Sequence, residues 1–429
     1  MASGGVSESK VVRIDVRKNA AEEEEAQSTS AAAVDAPTSA SRRNALSLAL
    51  RLLVRTAAVT GAVAALMYTV ARASRRTIHS FGVRTDGAPS CDAVLDPADV
   101  SYTLVTQMSS GRLWMMGQHC SRWGSESHIS VAVFTDMDAA SVKEEILRQG
   151  GCTANRLAVS TLSLREYGLA DYPVNRLRNL ALSRVRTTHV VYVDVDFWES
   201  FNLFTVLNMP GVRTELARDP KLAVVLPAFQ LRRLCVKEES CRDEQTNSMP
   251  GEISNLLELM SWKDASMFDV TNYYGHGSTS FGIWLQQKDG ELFDIPCVKS
   301  ERYEPYVVFR YCRDLPPFQE KFNGYGKNKM TFLMQLRRVG YDFTQLGGGF
   351  LVHYPHQISV AKKTWQQKPN DPIAKNEKID LSNTKRGQMD RLFLNFKGWM
   401  ERNIPDQSRV LLCDSSGDVD KKLWVSSIP

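Results

Sequence analysis

The stretch that most constrains this chain is Arg186-Thr-Thr-His-Val-Val-Tyr-Val-Asp-Val-Asp-Phe197. Val190 to Val193 form a short apolar run with β-branched and aromatic character, the pattern of a strand buried on both faces. It ends in Asp194 and Asp196, two carboxylates one residue apart. On an extended backbone that spacing sends both side chains to the same face. At the carboxyl end of a buried parallel strand, that face opens on the crevice where α/β sheets hold ligands. Two convergent carboxylates are hard oxygen ligands, suited to Mn²⁺ or Mg²⁺ gripping a diphosphate. An Asp-x-Asp triplet is also a common solvated strand end, so the flanking pattern has to decide between the two.

That pattern alternates. Tyr102 to Gln107, Ile129 to Phe134 and Ala158 to Leu164 have strand character, and so does Leu222 to Phe229. Helical segments intervene at Arg112 to Trp123, from Asp138 (an N-cap type) to Leu147, and from Tyr172, where Val174, Leu177, Ala181 and Val185 recur at helical spacing. Alternation of this kind predicts an α/β fold of Rossmann type with a mostly parallel central sheet. Farther on, Glu252 to Met260 is helical and Met389 to Met400 reads as an amphipathic helix, while the polar segment Lys237 to Pro250 has no evident assignment.

The first hundred residues differ in kind. Residues 1–44 are rich in Ala, Ser and Glu and almost free of aromatics, which predicts a disordered tail. Residues 45–71 are strongly apolar. Their uncharged core, Thr56 to Ala71, is about 24 Å as a helix, short of a span unless Arg51 and Arg55 snorkel. The expectation is one signal-anchor helix with a cytosolic N-terminus, a stem over 72–99, and a luminal domain over 100–429. Arg72, Arg75 and Arg76 beyond the helix blunt the positive-inside bias. A net charge of +5 without a Lys/Arg block interleaved with aromatics gives nucleic-acid binding no support. The eight cysteines form no CxxC pair, and an even, dispersed set is compatible with disulfides. Cys235 with Cys241 and Cys297 with Cys312 are near neighbours, but connectivity stays open.

Several motifs carry a resemblance. Tyr102-Thr-Leu-Val-Thr-Gln107, Ile129-Ser-Val-Ala-Val-Phe134, Tyr172-Pro-Val-Asn-Arg-Leu-Arg-Asn179 and Val193-Asp-Val-Asp-Phe197 are followed by Tyr303-Glu-Pro-Tyr-Val-Val-Phe-Arg310, Phe322-Asn-Gly-Tyr-Gly-Lys-Asn-Lys329 and Gly348-Gly-Phe-Leu-Val-His353. In order and spacing, across roughly residues 100–365, this set resembles glycosyltransferase family 49, the family of the LARGE-type second domain and a β-1,4-glucuronyltransferase. The resemblance implies a GT-A fold, a UDP-sugar donor, Mn²⁺ and transfer with inversion to a glycan or glycoprotein acceptor. With the anchor helix above, the expectation is a type II membrane protein of the secretory pathway, in the Golgi.

The resemblance also assigns residues. Asp194, Asp196 and His353 are the expected metal ligands, with His356 as the rival imidazole. Arg178 and Asn179 are expected to face the nucleotide crevice with Asp194, and Lys327 (or Lys329) to meet the diphosphate or a donor carboxylate. Inversion needs a base to take the acceptor proton. In related galactosyltransferases a Gly-aromatic-Gly segment leads into a Glu-Asp pair, whereas Gly324-Tyr-Gly326 leads here into Lys327-Asn-Lys329. Glu304 is therefore the first candidate and Asp314 the second. The aromatic stretch Trp262 to Gly277, with Asn272, Tyr273, Tyr274 and His276, is a candidate acceptor surface. Glucuronate is the expected sugar, with UDP-xylose or UDP-GlcNAc as other donors. The rival classes are an inactive glycan- or nucleotide-binding protein and an Asp-nucleophile hydrolase. The hydrolase fits poorly because Phe197 and Trp198, not Gly and Thr, follow the triplet.

Overall fold

The computed structural model describes residues 88–167, 171–232, 238–367 and 383–414. The expected tail, anchor helix and most of the stem lie outside these residues. Among the described residues no helix is long and apolar enough to cross a membrane.

In chain order the strands are β1 (Tyr102–Ser109), β2 (His128–Phe134), β3 (Leu157–Leu162), β4 (His189–Tyr192), β5 (Phe197–Glu199), β6 (Leu222–Leu226), β7 (Ala228–Leu231), β8 (Ala265–Met267), β9 (Leu292–Asp294), β10 (Cys297–Val298), β11 (Tyr306–Arg310), β12 (Asp342–Leu346), β13 (Leu351–His353) and β14 (Leu411–Leu412). The main sheet has eight strands in the order β3-β2-β1-β4-β11-β6-β12-β9. Strands β3, β2, β1 and β4 pair in parallel, as the alternating pattern predicts. The other half holds two reversed strands. Strand β11 lies antiparallel to both β4 and β6, and β9 is antiparallel to β12. The sheet is thus mixed yet still mostly parallel, with β11 and β9 reversed and the other six strands, including the parallel pair β6 and β12, running one way. The cause is topological: β11 enters from the loop ahead of Tyr306 and runs back across the sheet, so Tyr306 starts at the edge where β4 ends.

Both faces of the central strands are buried, and β4, β6 and β11 have no exposed residue. This is why they read as continuous apolar runs and not as alternating ones. The run Leu222 to Phe229 is broken at Pro227 into β6 and β7, since proline gives no N–H to a ladder. β7 joins a second sheet, β5-β13-β7-β8. The segment without a sequence assignment holds a helix, Glu238–Asn247. The amphipathic stretch near the end is the helix Lys385–Asn403, whose Met389, Phe396 and Met400 close over Phe322, Met330 and Met334.

The end of the expected stem belongs to this fold. Cys91 is bonded to Cys312, and the Arg313 N–H donates to the Pro89 carbonyl at 2.8 Å. Cys120 pairs with Cys152, and Cys297 with Cys413, not with Cys312. Proximity in sequence misleads here because β11 carries Cys312 to the far end of the sheet.

Two buried histidines tie the fold to pH. Burial lowers both His189 and His276 to about 3. Unfolded, each would titrate near 6.5, so between those values the unfolded chain binds more protons and stability falls as pH falls. From pH 7 to 4.5 each should contribute a loss of about 2–3 kcal/mol. Denaturant titrations at the two pH values measure this, and equal unfolding free energies would contradict it.

Candidate functional site

The site is built on the turn after β4. That strand ends at Tyr192, and the Phe197 N–H donates to the Asp194 carbonyl at 2.9 Å. The chain therefore turns within Asp194-Val195-Asp196 instead of staying extended. The two carboxylates consequently do not share a face, contrary to the expectation from their spacing. His119 and Glu199 hold the turn from below. His119 Nδ1 lies 2.8 Å from Glu199 Oε1 and its Nε2 2.9 Å from the Val195 carbonyl, with both side chains fully buried. Burial opposes charge on His119, but Glu199 outweighs it and raises the imidazole pKa. Trp198 Nε1 donates to the same carbonyl at 3.2 Å. Removing one member of such a pair strands a buried charge, which costs about 3–5 kcal/mol. His119→Phe should lower the unfolding free energy by that much in denaturant titration, and an unchanged value would remove the pair from this role.

Asp194 points back toward the sheet. Its Oδ1 accepts from Arg178 Nη2 at 3.0 Å, from Gln107 Nε2 at 3.4 Å and from the Tyr192 hydroxyl, and its Oδ2 accepts from the Tyr306 hydroxyl at 2.8 Å. Burial pushes this carboxyl up, yet Arg178 and Lys329 outweigh it and hold it below the ordinary value. Arg178 is itself buried and also bonds Tyr192, Asn175 and Asn328.

Asp196 points the other way, toward two histidines. Strand β13 pairs antiparallel with β5, setting His353 opposite Phe197, and the Tyr354 N–H donates to the Asp196 carbonyl at 2.7 Å. Register alone thus brings His353 to the carboxylate, with its Nε2 3.9 Å from Asp196 Oδ2. The chain then folds back so that His356 Nε2 lies 2.7 Å from the same oxygen. One ligand atom each of Asp196, His353 and His356 falls within 4.8 Å of the others. Burial lowers His353 to about 4, so its imidazole is neutral near pH 7. Burial also pushes Asp196 up, but Arg112, His356 and His353 hold it well below the ordinary value. An ionised carboxylate beside a neutral imidazole is a donor set that suits a divalent transition metal. The structure thus brings together Asp196 and His353, adds His356, and ties Asp194 to Arg178 and two tyrosines instead.

Lys329 is buried near the start of the helix Asn328–Arg338, with Nζ 3.5 Å from the centre of the Tyr306 ring. Burial lowers its pKa, opposed by Asp194 and Glu304. Lys327 is elsewhere. It sits in the left-handed conformation before that helix, φ 61°, and its Nζ pairs with Asp390 at 2.7 Å. Between the two lysines, Lys329 faces the carboxylates and Lys327 faces the C-terminal helix. Asn179 also departs from expectation: its amide bonds Glu320 and the Phe318 backbone, fastening a loop.

Glu304 lies two residues before Tyr306, at the site edge of the sheet, and is half-buried. Burial raises its carboxyl pKa, Lys329 opposes this and Asp269 adds to it. Asp314 is exposed and lies beyond Arg310, which pairs with His189 at the start of β4. Antiparallel β11 has carried the chain across the sheet by then, so Asp314 is on the wrong edge to act as base. Within the aromatic stretch, Tyr273 and His276 are buried packing residues, while Tyr274 is exposed.

Arg112 had no sequence signal of its own. It projects from the 3₁₀ turn Ser110–Met115 after β1, and its Nη1 lies 2.7 Å from Asp196 Oδ2. His119 and Glu199 could be found only by contact, since 80 residues separate them.

The molecule is an α/β protein whose strands β1 and β4 end at a cluster of carboxylates, imidazoles and buried cations. The family described as "glycosyl-transferase for dystroglycan" matches residues 152–383, more than half of the chain, and the chain belongs to this glycosyltransferase family. The xylosyl- and glucuronyltransferase LARGE2s of Danio rerio is 28% identical over 297 residues, covering 68% of this chain and 36% of that protein. The human xylosyl- and glucuronyltransferase LARGE1 is 30% identical over 272 residues, covering 62% and 32% respectively. The matched region thus spans about a third of the length of these relatives. Among solved structures, GalNAc-T7 with UDP, GalNAc and Mn²⁺ aligns over 77% of this chain and 64% of that one, at 12% identity and TM-score 0.37.

Proposed function

We propose that the protein is an inverting, metal-dependent transferase of GT-A type that moves glucuronate from UDP-glucuronate to a hydroxyl of a glycan or glycoprotein. The observation that carries this reading is the convergence of Asp196, His353 and His356 at the carboxyl ends of the parallel strands, in a chain of glycosyltransferase family. Those three side chains would hold Mn²⁺ or Mg²⁺. When bound, the ion neutralises charge on the diphosphate leaving group.

The chain's own residues divide the remaining work. Arg178, bonded to Tyr192 and Asp194, fixes the Asp194 carboxylate, which would face the UDP-sugar. Lys329 supplies a positive charge in a desolvated setting, where it acts on an anion more strongly than in water. Glu304 accepts the acceptor hydroxyl proton as that oxygen attacks the anomeric carbon and the bond to UDP breaks. A carboxyl whose pKa is raised by burial is a stronger base than an ordinary Glu, which suits this role.

For placement we propose the Golgi lumen, anchored by 45–71 with a cytosolic N-terminus. The three disulfides among the described residues support an oxidising compartment. The relatives' names join xylosyl and glucuronyl transfer, so the test is a donor panel. Purified protein is given UDP-glucuronate, UDP-xylose or UDP-GlcNAc with Mn²⁺ or a chelator, and UDP release is followed. The reading requires release from UDP-glucuronate that the chelator stops. Release from UDP-xylose alone would reassign the donor, and release from none would remove the enzyme reading.

A further inference from the structure

We propose that Arg112 is a displaceable counter-ion of the Asp196–His353–His356 cluster. Its guanidinium holds the cation's place in the metal-free protein, and once a divalent ion enters it turns to the diphosphate of the nucleotide. The inference rests on the metal reading above.

The contacts converge on one oxygen. Arg112 Nη1 and His356 Nε2 both lie 2.7 Å from Asp196 Oδ2, and His353 Nε2 is 3.9 Å from it. Arg112 Nη2 is 3.1 and 3.3 Å from the two ring nitrogens of His356, so the guanidinium lies against that imidazole. A positive group thus lies in contact with two of the three ligand side chains, Asp196 and His356. A divalent ion and a guanidinium repel each other at such range, so one has to leave.

Arg112 is built to be the one that leaves. Its three-carbon stem rises from the 3₁₀ turn Ser110–Met115, and its side chain is 28% exposed against 11% for Asp196. His353 and Asp196 are tied into the fold, Asp196 through its carbonyl, which accepts from the Tyr354 N–H. His353 is held in the β13 ladder between the rings of Phe197 and Phe268. Arg112 also sits just beyond the carboxyl end of β1, the side of an α/β sheet where phosphates are received. A displaced guanidinium there keeps five N–H donors and a planar fork that matches phosphate oxygens.

One substitution should therefore act in opposite directions on two ligands. Mn²⁺ affinity is measured on the full chain without nucleotide, from the free-ion electron paramagnetic resonance signal. UDP affinity is then measured by calorimetry at saturating Mn²⁺. Arg112→Gln is expected to tighten Mn²⁺ about tenfold and weaken UDP about tenfold. Arg112→Lys, which keeps the charge, should leave Mn²⁺ near the wild-type value and weaken UDP less. Arg148→Gln on the outer surface should change neither. Equal or weaker Mn²⁺ binding in Arg112→Gln, with the melting temperature kept, overturns the counter-ion role. Unchanged UDP affinity overturns the hand-over to phosphate. If the wild-type protein binds no Mn²⁺, the metal reading itself fails and takes this one with it.

Discussion

Asp196→Asn is expected to abolish metal-dependent UDP release, lowering turnover by at least about a thousandfold, or about 4 kcal/mol of transition-state stabilisation. The reason is geometric. Asp196 is the one carboxylate in the three-residue cluster, and both histidines and Arg112 converge on its Oδ2. An amide keeps the shape but loses the charge that offsets the cation's desolvation. Asp194→Asn should behave differently. Its carboxylate is spent on Arg178, Tyr192 and Tyr306, so the change should weaken UDP-sugar binding and the fold while leaving Mn²⁺ affinity close to wild type. Calorimetric titration of Mn²⁺ into the two variants separates these outcomes. Equal loss of Mn²⁺ from both would restore the symmetric carboxylate pair expected from the sequence.

Glu304→Gln is the second large effect. Turnover should fall by about 10²–10⁴, the usual worth of a general base, with Mn²⁺ and UDP affinities retained because Glu304 lies outside the metal cluster. The wild-type pH profile carries a second signature. Burial raises the Glu304 carboxyl pKa, so activity should rise with pH through a midpoint above that of an ordinary Glu, and this limb should vanish in the residual activity of Glu304→Gln. Asp314→Asn should leave the rate unchanged. A variant at Glu304 with near wild-type turnover would send the search for the base elsewhere, with half-buried Asp269 the nearest candidate by charge coupling.

Half of the fold is legible from periodicity. Strands β1 to β4 and the helices between them follow from apolar runs and caps, and Asp138 caps the helix Ala139–Arg148 as its type predicts. The antiparallel strand β11 is not legible, because a strand buried on both faces has the same composition whichever way it runs. That one ambiguity explains two misplacements. It leaves Asp314 a candidate for the site and Cys312 a neighbour of Cys297, when both Asp314 and Cys312 lie past the far end of β11.

The site was legible to the level of motif and not of residue. The spacing of Asp194 and Asp196 implies one face only on an extended backbone, and the turn closed by the Phe197 N–H breaks that premise. Lys327 and Lys329 are equivalent in sequence, but the helix begins at Asn328. One lysine therefore falls outside it and the other turns inward. His353 was found through its motif. His356 adds itself through a fold-back that no local pattern encodes, and Arg112 and His119 arrive from distant elements through tertiary contact alone.

In the proposed mechanism Asp196, His353 and His356 together hold a divalent ion. Electron spin echo envelope modulation of the Mn²⁺-loaded protein tests it directly, because directly coordinated imidazole nitrogens modulate the echo. Two such nitrogens are expected in the wild type, one in His353→Ala or His356→Ala, and none in the double variant. Bound Mn²⁺ with no nitrogen modulation, or modulation unchanged in both single variants, would contradict it.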